Sequence, residues 1–438
     1  MQFAIAIPTD ADSWRVVRRA EELGFARAWF YDTQMLSADP FVAMAAAAIK
    51  TTKIRLGTGV LIPSNRIAPV TANAFASLNK LAPGRIDFGV GTGFTGRRAM
   101  GLGAVKLADM EEYVRIVMAL LRGETVEAEI ERKKRLIRLL NPELGLINTR
   151  DPIALWIAAS GPRARALTAK LGAGWIATAS DIEGAVAAMT DMQERRRAAG
   201  RETEPIDAVV LTGGAILEEG EPADSPRAIA QAGPRAAMLL HRAADAALAG
   251  LPMMAPMPPS VAETVAGYVE LARKFTPQGA HYLENHRGHL MFVKPEERPF
   301  VTAELIRRTT YTATEKELKG RFATLADAAL AGLPMMAQMP PEVAATVAGY
   351  VELARKFTPQ GAHYLENHRG HLMFVKPEER RFITAELIHR TTCTATEKEL
   401  RERFAALAEA GYSEIAVQIV PGQEHVIEDW GRIRRAFA

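Results

Sequence analysis

A short pattern recurs along this chain: apolar residues at helical spacing, then a glycine, then an apolar run of typical strand length. It occurs at residues 18–32, 78–90, 167–179 and 407–420. Glycine just beyond a helix suits a left-handed C-cap, and strands that are apolar on both faces are typical of parallel sheets covered by helices. The recurrence therefore predicts an α/β protein assembled from helix–strand units.

Counting the apolar runs gives eight predicted strands, at residues 2–7, 26–31, 53–60, 85–90, 153–159, 174–178, 208–216 and 414–420. Helices are predicted between them at residues 12–23, 40–50, 70–81, 107–121, 162–171 and 182–199. Eight such units favour a closed (β/α)8 TIM barrel, with an open doubly wound sheet as the alternative. In a barrel, the carboxyl ends of the strands form the working face.

Two segments interrupt this rhythm. Residues 124–150 are charged and irregular, which predicts an inserted, solvated lid or arm. Residues 245–326 and 327–408 form a gapless tandem repeat with a period of 82 residues and ten differences. Only the second copy continues into the last predicted strand, so we interpret the duplication as an insertion before that strand. The predicted domains are the first seven barrel units at 1–244, the two copies, and a last strand and helix at 409–438.

Each copy carries a histidine-rich loop and, after it, a helix that begins with Thr-Ala-Thr-Glu. The N-cap of that helix is predicted at the first threonine, 312 or 394, or at the second, 314 or 396. The loop histidines are His281, His286 and His289, with His363, His368 and His371 in the second copy. Three histidines without a nearby cysteine or an H-E-x-x-H helix are a poor zinc signature, so hydrogen bonding within the loop is favoured and no metal site is predicted.

Composition narrows the class of protein. The chain is 48% hydrophobic and 24% charged, which is typical of a globular protein, and its net charge of +3 favours neither nucleic acid nor an anionic membrane as the main partner. The single cysteine, Cys393, cannot form an internal disulfide, which fits a reducing compartment. No signal peptide or membrane span is predicted, so a cytoplasmic location is expected.

Polar residues and glycines cluster where the predicted strands end. Ser160-Gly161 follows a strand and opens a helix, so it is either a phosphate site or a plain serine cap. Gly59-Val60 is either a backbone platform under a flat ring or a bulge. Asp32 and Thr33 are the catalytic candidates, which contact a ring edge or a substrate, or else Asp32 caps the helix ahead of Pro40. The glycines around residues 57–59 and 91–93 are expected to keep room for a flat ligand.

The stretch at 53–93, the Ala-Ala-Ser-Gly-Pro turn at 158–162 and the recurrent Glu-Leu-Gly-Phe phrases resemble the luciferase-like monooxygenase superfamily. That superfamily comprises flavin-dependent monooxygenases and deazaflavin-dependent reductases similar to methylenetetrahydromethanopterin reductase. The resemblance covers roughly residues 1–222 and 394–438. It implies a (β/α)8 barrel, often a homodimer, that holds a flavin or deazaflavin ring at the strand ends, in many members against a non-proline cis peptide, here Gly59-Val60.

The resemblance also implies which residues bind the cofactor: Thr33, Gly59, Val60, Thr92, Gly93 and Phe94 at the ring, and Ser160, Gly161 and Thr178 at the phosphate. Two departures matter. Several deazaflavin-dependent members carry histidine where this chain has Thr33, and glutamate where it has Phe94. The acid–base pattern of the sugar-phosphate dehydrogenases is therefore absent, and Phe94 is expected to make the pocket more apolar.

The leading functional hypothesis is an FMN-dependent monooxygenase that acts on a small organic substrate. It would receive reduced flavin from a separate reductase, because no NAD-binding fingerprint occurs in the sequence. One alternative is a reductase or dehydrogenase that uses the deazaflavin coenzyme F420 and transfers hydride. The other alternative is a flavin-binding barrel without catalytic activity.

Overall fold

The computed structural model describes residues 2–140, 144–178, 182–250, 259–315, 317–318, 414–418, 424–425, 427–428 and 431. The barrel strands are β1 (Gln2–Ile7), β2 (Arg27–Phe30), β3 (Arg55–Thr58), β4 (Ile86–Val90), β7 (Ala154–Ala158), β8 (Gly174–Thr178), β9 (Ala208–Thr212) and β12 (Glu414–Gln418). The other strands are β5 (Val126–Ile130), β6 (Lys133–Ile137), β10 (Ile216–Leu217) and β11 (Ala313–Thr314).

The helices are α1 (Trp14–Glu22), α2 (Pro40–Lys50), α3 (Ala68–Leu81), α4 (Phe94–Arg98), α5 (Leu107–Leu121), α6 (Pro162–Leu171), α7 (Ile182–Ala198), α8 (Pro226–Leu248), α9 (Pro259–Ala272), α10 (Tyr282–Asn285) and α11 (Ala303–Thr309). Short 3-10 turns cover Pro63–Asn65 and Arg298–Phe300. No helix in the described part of the chain is both long and apolar enough to cross a membrane.

Eight parallel strands close into a barrel in the order β1, β2, β3, β4, β7, β8, β9, β12 and back to β1. Gln2 of β1 pairs with Glu414 of β12, and Ala4 of β1 pairs with Arg27 of β2, so β1 joins the two ends of the sheet. In this closed sheet, helices cover the outer face of the strands and side chains fill the inner face. The predicted (β/α)8 barrel is confirmed, and the open doubly wound sheet is excluded.

β3 and β9 end two and four residues before their predicted ends, because backbone contacts stop them. β3 stops before Gly59, where the backbone turns through the cis Gly59–Val60 peptide. β9 stops at Thr212, where the Tyr311 N–H donates to the Gly213 carbonyl at 2.8 Å. A Cβ atom on Gly214 would lie 2.5 Å from the Tyr311 backbone, so the arriving chain occupies the path along which the strand would continue.

The segment predicted as an irregular lid is an antiparallel hairpin of β5 and β6. Its turn residues Glu131 and Arg132 both have positive φ, 52° and 63°, as a two-residue hairpin turn requires. Val126 and Ala128 point inward while Glu127 between them is exposed. The high charge of this segment hid the alternation with period two, so its two strands were not predicted, while the insertion itself was.

The 23-residue helix α8 was not predicted, because Pro234 lies inside it. Proline removes a helical hydrogen bond, yet this helix continues through it. The Ser225 side chain accepts from the Ala228 N–H and caps the helix, and Pro226 occupies its first turn. The helix continues because it buries a stripe of residues, including Ala232 and Leu240, against the first repeat copy.

The described part of the first copy packs against α8. Val265, Tyr268 and Leu305 belong to the same buried apolar cluster as the inner face of α8. At the end of this copy, Thr314 caps the following helical turn, because its Oγ1 accepts from the Glu317 N–H at 3.2 Å while Glu317 Oε2 accepts from the Thr314 N–H. Of the two predicted caps, the later threonine is therefore correct. The corresponding residues of the second copy lie outside the described residues.

Charged residues fill the barrel near the amino-terminal ends of its strands. Asp87 accepts hydrogen bonds from Arg27 Nε at 2.7 Å and from Arg55 Nη2 at 2.6 Å. The Arg27 guanidinium carbon lies 5.1 Å from the Trp29 ring and 4.6 Å from the Trp156 ring. These groups, named the charged plug, occupy this end of the barrel, so the opposite end is where a ligand site is expected.

Candidate functional site

The carboxyl ends of β3 and β4 form the floor of the candidate site. The Gly59–Val60 peptide is cis, as the family resemblance implied. Cβ atoms at Gly57 and Gly59 would lie 2.6 and 2.7 Å from the side chain of Trp29. These glycines therefore make room for a buried tryptophan of the barrel, which the sequence did not indicate. Val60 itself is partly exposed at the rim.

Asp32 follows β2 and is buried, with its carboxylate already occupied. Its Oδ2 accepts from the Ile62 N–H at 3.0 Å and from Asn65 Nδ2 at 3.1 Å, and Arg66 lies 3.3 Å away. The cap of α2 is Asp39, so the helix-capping alternative for Asp32 was wrong. This arrangement makes Asp32 a positioning residue that holds the turn after Gly59–Val60.

Thr33 is partly exposed, and its hydroxyl lies 2.6 Å from Ser37 Oγ. It is therefore oriented at the rim by its own turn. Either hydroxyl of the pair can donate the bond, so Thr33 can still offer a hydrogen bond to a ligand.

The end of β4 is shaped by Gly93 and Phe94. Gly93 has φ +78°, the left-handed conformation that glycine adopts most readily, and it precedes α4. Two guanidinium groups contact the Phe94 ring, with the guanidinium carbon of Arg98 at 4.0 Å and that of Arg242 at 4.5 Å from its centroid. The expectation that Phe94 makes the pocket more apolar was wrong, because cations cover the ring. Thr92 is partly exposed beside it.

The predicted phosphate residues come together at the ends of β7 and β8. Ser160 Oγ lies 3.0 Å from Thr178 Oγ1, and both residues are exposed. The N-cap of α6 is Gly161, without a side-chain cap, so the serine-cap alternative was wrong. A helix start without a side-chain cap leaves N–H groups for an anion, and the two hydroxyls stand beside it.

Three buried polar atoms in the barrel lack hydrogen-bond partners among the described residues: Tyr31 Oη, Trp156 Nε1 and Thr212 Oγ1. Burial raises the pKa of Tyr31 to about 12, so its phenol remains a neutral donor. Buried donors without partners are uncommon in folded proteins. Tyr31 and Thr212, at the carboxyl ends of β2 and β9, fit a ligand with polar edges, as the ring of a flavin or deazaflavin has. The Trp156 ring lies against Arg27 of the charged plug instead.

Residues from α8 and the first copy cover part of the rim. Leu290 and Met238 pack with Val60 and Ala158 at the edge of the inner barrel cluster. Arg235 Nη2, also on α8, donates to the carbonyl of Leu211 at 3.2 Å. The rim is therefore covered on one side and open on the side of Ser160 and Thr178.

Next to this cover lies a buried group of histidines, named the histidine cluster: His241, His286 and His289. The nitrogen Nδ1 of His241 lies 2.8 Å from Nδ1 of His289, and Nε2 of His289 lies 3.5 Å from Thr95 Oγ1. His281 lies at the start of α10 and is not part of the cluster. The counterparts His363, His368 and His371 lie outside the described residues.

Carboxylates form hydrogen bonds with the Nε2 atoms of His241 and His286. His241 Nε2 lies 2.7 Å from Glu297 Oε1, and His286 Nε2 lies 3.0 Å from Asp245 Oδ2. Burial raises the pKa of Glu297, but hydrogen bonds from His241 and Lys294 outweigh it and lower the pKa to about 2. Glu297 is thus ionised and can only accept, so the hydrogen of neutral His241 is on Nε2.

The same reasoning assigns the remaining hydrogens. Burial lowers the pKa of both His241 and His289, so both rings are neutral near pH 7. Nδ1 of His241 has no hydrogen and therefore accepts one from Nδ1 of His289. Nδ1 of His286, whose other nitrogen faces Asp245, has no partner among the described residues. The histidine cluster therefore ends in Nδ1 of His286, which has no hydrogen-bond partner among the described residues.

The first 225 residues decide the family. Residues 8–225 match a family model described as luciferase-like monooxygenase. The chain belongs to the luciferase-like monooxygenase superfamily. The resemblance inferred from the sequence is confirmed. The matched region carries β2 to β9 and the whole of the candidate site described so far except the cover and the histidine cluster.

Two curated relatives of this luciferase-like chain are named for coenzyme F420. The F420-dependent glucose-6-phosphate dehydrogenase of Beutenbergia cavernae is 36% identical over 143 residues, which are 31% of this chain and 40% of that protein. The F420-dependent hydroxymycolic acid dehydrogenase of Mycobacterium tuberculosis is 32% identical over 180 residues, 38% of this chain and 48% of that protein. The chain thus spans less than half the length of these relatives.

A solved structure supports the barrel fold. The coenzyme F420 dependent tetrahydromethanopterin reductase from Methanopyrus kandleri aligns with a TM-score of 0.57 at 17% identity, covering 100% of this chain and 99% of that one. At this identity the likeness concerns the fold alone.

Sequence reasoning on this luciferase-like chain missed the residues of α8 that face the site, namely Arg235, His241 and Arg242. The miss follows from Pro234, which argued against a helix in this segment. A signal was present, because Arg235 and Arg242 are seven residues apart, which is two helical turns, and such residues share one helix face.

Proposed function

We propose that this chain is an oxidoreductase that uses the deazaflavin coenzyme F420 to transfer hydride to or from a small organic substrate. The observation that carries the proposal is the match of its amino-terminal part to relatives named as F420-dependent dehydrogenases. The FMN-dependent monooxygenase favoured by the sequence becomes the second candidate, because these relatives match the deazaflavin alternative better.

The rim residues suit such a cofactor. Ser160, Thr178 and the start of α6 would hold its phosphate, since hydroxyls and free helix N–H groups are donors for an anion. Tyr31 and Thr212, at the carboxyl ends of their strands, would offer unpaired polar atoms to a ring edge. The bound coenzyme would supply the hydride chemistry. The protein would supply orientation and exclude water, and Leu290 and Met238 already cover one side of the rim.

Two arginines at the rim favour an anionic substrate. Neither Arg235 nor Arg242 forms an ion pair with a described residue, and Nε of Arg242 is buried without a partner there. Burial lowers the pKa of both arginines, because desolvation penalises the charged form. A carboxylate or phosphate on the substrate would offset that penalty. The substrate is nonetheless proposed to differ from glucose 6-phosphate, since Thr33 and Phe94 replace the acid–base pair of that enzyme type.

Titration of the purified full chain with F420 and with FMN tests the proposal. We expect F420 to bind at least tenfold more tightly than FMN, and we expect oxidation of a substrate panel to bleach the visible band of F420 without oxygen uptake. Ser160→Asp would place a negative charge beside the phosphate and weaken F420 binding at least tenfold. Thr190→Asp, on the exposed face of α7, is the matched control and leaves binding unchanged.

The second candidate rests on the name of the matching family, which is that of monooxygenases. Tight FMN binding with oxygen uptake in the presence of reduced FMN would overturn the F420 proposal in its favour. If neither F420 nor FMN binds, the F420-dependent and the FMN-dependent functions are both wrong. The non-catalytic flavin-binding barrel is then wrong as well.

A further inference from the structure

We propose that His241, His286 and His289 form a binding site for a divalent transition metal ion of the zinc class. Each histidine offers one ring nitrogen, and the three nitrogens lie within 4.8 Å of one another. All three side chains are buried. Three imidazoles with a fourth position open to water are an established ligand set for Zn²⁺.

The unpaired nitrogen of His286 is the second observation. Its Nδ1 is buried and has no partner among the described residues, although its side chain is only 2% exposed. Leaving such a buried atom unsatisfied is unfavourable. A metal ion bound by Nδ1 removes that cost, whereas hydrogen bonding within a loop, the interpretation favoured by the sequence, leaves it in place.

The surrounding carboxylates are arranged as they are in metal centres. Glu297 holds Nε2 of His241, and Asp245 holds Nε2 of His286. Carboxylates that accept from the outer nitrogen of a ligating histidine fix the ring orientation and direct its other nitrogen to the metal. Asp245 is itself held by Arg98 at 2.9 Å, so this outer layer is ordered too.

Only small movements are needed to admit the ion. Zinc–nitrogen bonds of about 2.0–2.1 Å in a tetrahedral site put ligand nitrogens about 3.3 Å apart. The Nδ1 atoms of His241 and His289 are now 2.8 Å apart, so these two rings must separate slightly. His289 must also move its hydrogen from Nδ1 to Nε2, where the Thr95 hydroxyl at 3.5 Å can accept it.

The sequence limits the site to one per chain. His286 and His289 recur in the second copy as His368 and His371, but His241 precedes the repeat, and residue 323 at the corresponding position is alanine. The second copy therefore lacks one of the three ligands. It also provides a matched control, because the same substitutions made there remove histidines from an identical local sequence.

Titration of the full chain with Co²⁺ tests the proposal. The protein is prepared without a histidine tag, treated with a chelator and then titrated, since bound Co²⁺ gives a visible absorption band that reports its geometry. We expect a band typical of four-coordinate Co²⁺ that saturates at one ion per chain and is displaced by Zn²⁺. His286→Asn should weaken binding more than about 100-fold, beyond the loss expected for an outer-layer partner. The double variant H368N/H371N should bind as the wild type does.

Two results overturn the proposal: no band at millimolar Co²⁺, or a band that His286→Asn leaves unchanged. Far-UV circular dichroism checks that the variant folds. If it does not fold, X-ray absorption of the Zn²⁺-loaded wild type decides the question. Three imidazoles in the ligand shell support the site, and fewer than three refute it. Asp245→Asn adds an independent measurement, with an expected loss in affinity of about 10–100-fold.

Discussion

The ion pairs of Asp87 in the charged plug and the histidine cluster beside α8 are both buried polar groups, and they differ in whether their hydrogen bonds are complete. In the plug, Asp87 accepts from Arg27 and Arg55, and two indole rings cover Arg27. In the histidine cluster, one nitrogen of His286 has no partner among the described residues. A complete network stabilises the fold, whereas an incomplete one indicates a place where something else binds.

The largest expected effect is the loss of stability when Asp87 of the charged plug is substituted. Asp87→Asn leaves two arginines without their carboxylate and should lower the free energy of unfolding by about 3–5 kcal/mol. Urea unfolding followed by tryptophan fluorescence measures this, because all five tryptophans lie outside the repeat. Glu112→Gln removes an exposed partner that lies equally close to an arginine, 2.6 Å from Arg115, and should cost less than about 1 kcal/mol. Equal losses in the two variants would contradict the distinction.

The second largest expected effect is the stability that the histidine cluster gains when it binds Zn²⁺. At free Zn²⁺ about 100-fold above the dissociation constant, binding to the folded state alone should add about 2.7 kcal/mol to the stability. His286→Asn should abolish this gain, and the H368N/H371N control should retain it. A gain of equal size in His286→Asn would show that zinc binds elsewhere. Unfolding curves with zinc and with chelator provide the comparison.

Without metal, His286→Asn should cost only about 1–2 kcal/mol. The variant loses one hydrogen bond to Asp245, but that carboxylate keeps its bonds with Arg98 and with Asn285. Unfolding in the presence of chelator measures the difference. A loss as large as that of Asp87→Asn would mean that the histidine cluster is as complete as the plug and serves stability alone.

The smallest expected effect concerns pH. Burial raises the pKa of Glu221, but hydrogen bonds from Arg227 and Ser225 outweigh it and lower the pKa to about 2. A lowered pKa stabilises the fold above the usual value of 4.5, and that contribution is lost as the pH falls toward 2. The difference in stability between the wild type and Glu221→Gln should therefore be about 1 kcal/mol at pH 6 and shrink by pH 3. A difference that does not change with pH would contradict this.

Much of the barrel could be predicted from local sequence. β1, α2 and α5 have the predicted bounds, because their apolar periodicity lies within the segment itself. The hairpin of β5 and β6 could not be predicted, since its many charged residues obscured the alternation of buried and exposed positions. Nor could α8, because its continuation through Pro234 depends on packing against residues more than 30 positions away, such as Val265.

The candidate site also has features that the sequence predicts and features that it does not. The strand ends that carry Thr33, Val60, Thr92 and Ser160 follow from the barrel, because parallel strands bring their carboxyl ends to one rim. The roles of single residues did not follow. Asp32 binds the Ile62 N–H, Ser160 pairs with Thr178 and does not cap its helix, and Arg242 contacts Phe94. Each of these contacts depends on a partner distant in sequence.

The sequence by itself determined the barrel and its family, since both rest on patterns that repeat within short segments and on motifs at strand ends. Only the tertiary structure decided that His241 meets His289, 48 residues away, and that His286 keeps a nitrogen without a partner among the described residues. The physical reason is that a hydrogen-bond inventory of a buried group depends on every element packed around it, and no local pattern contains that information.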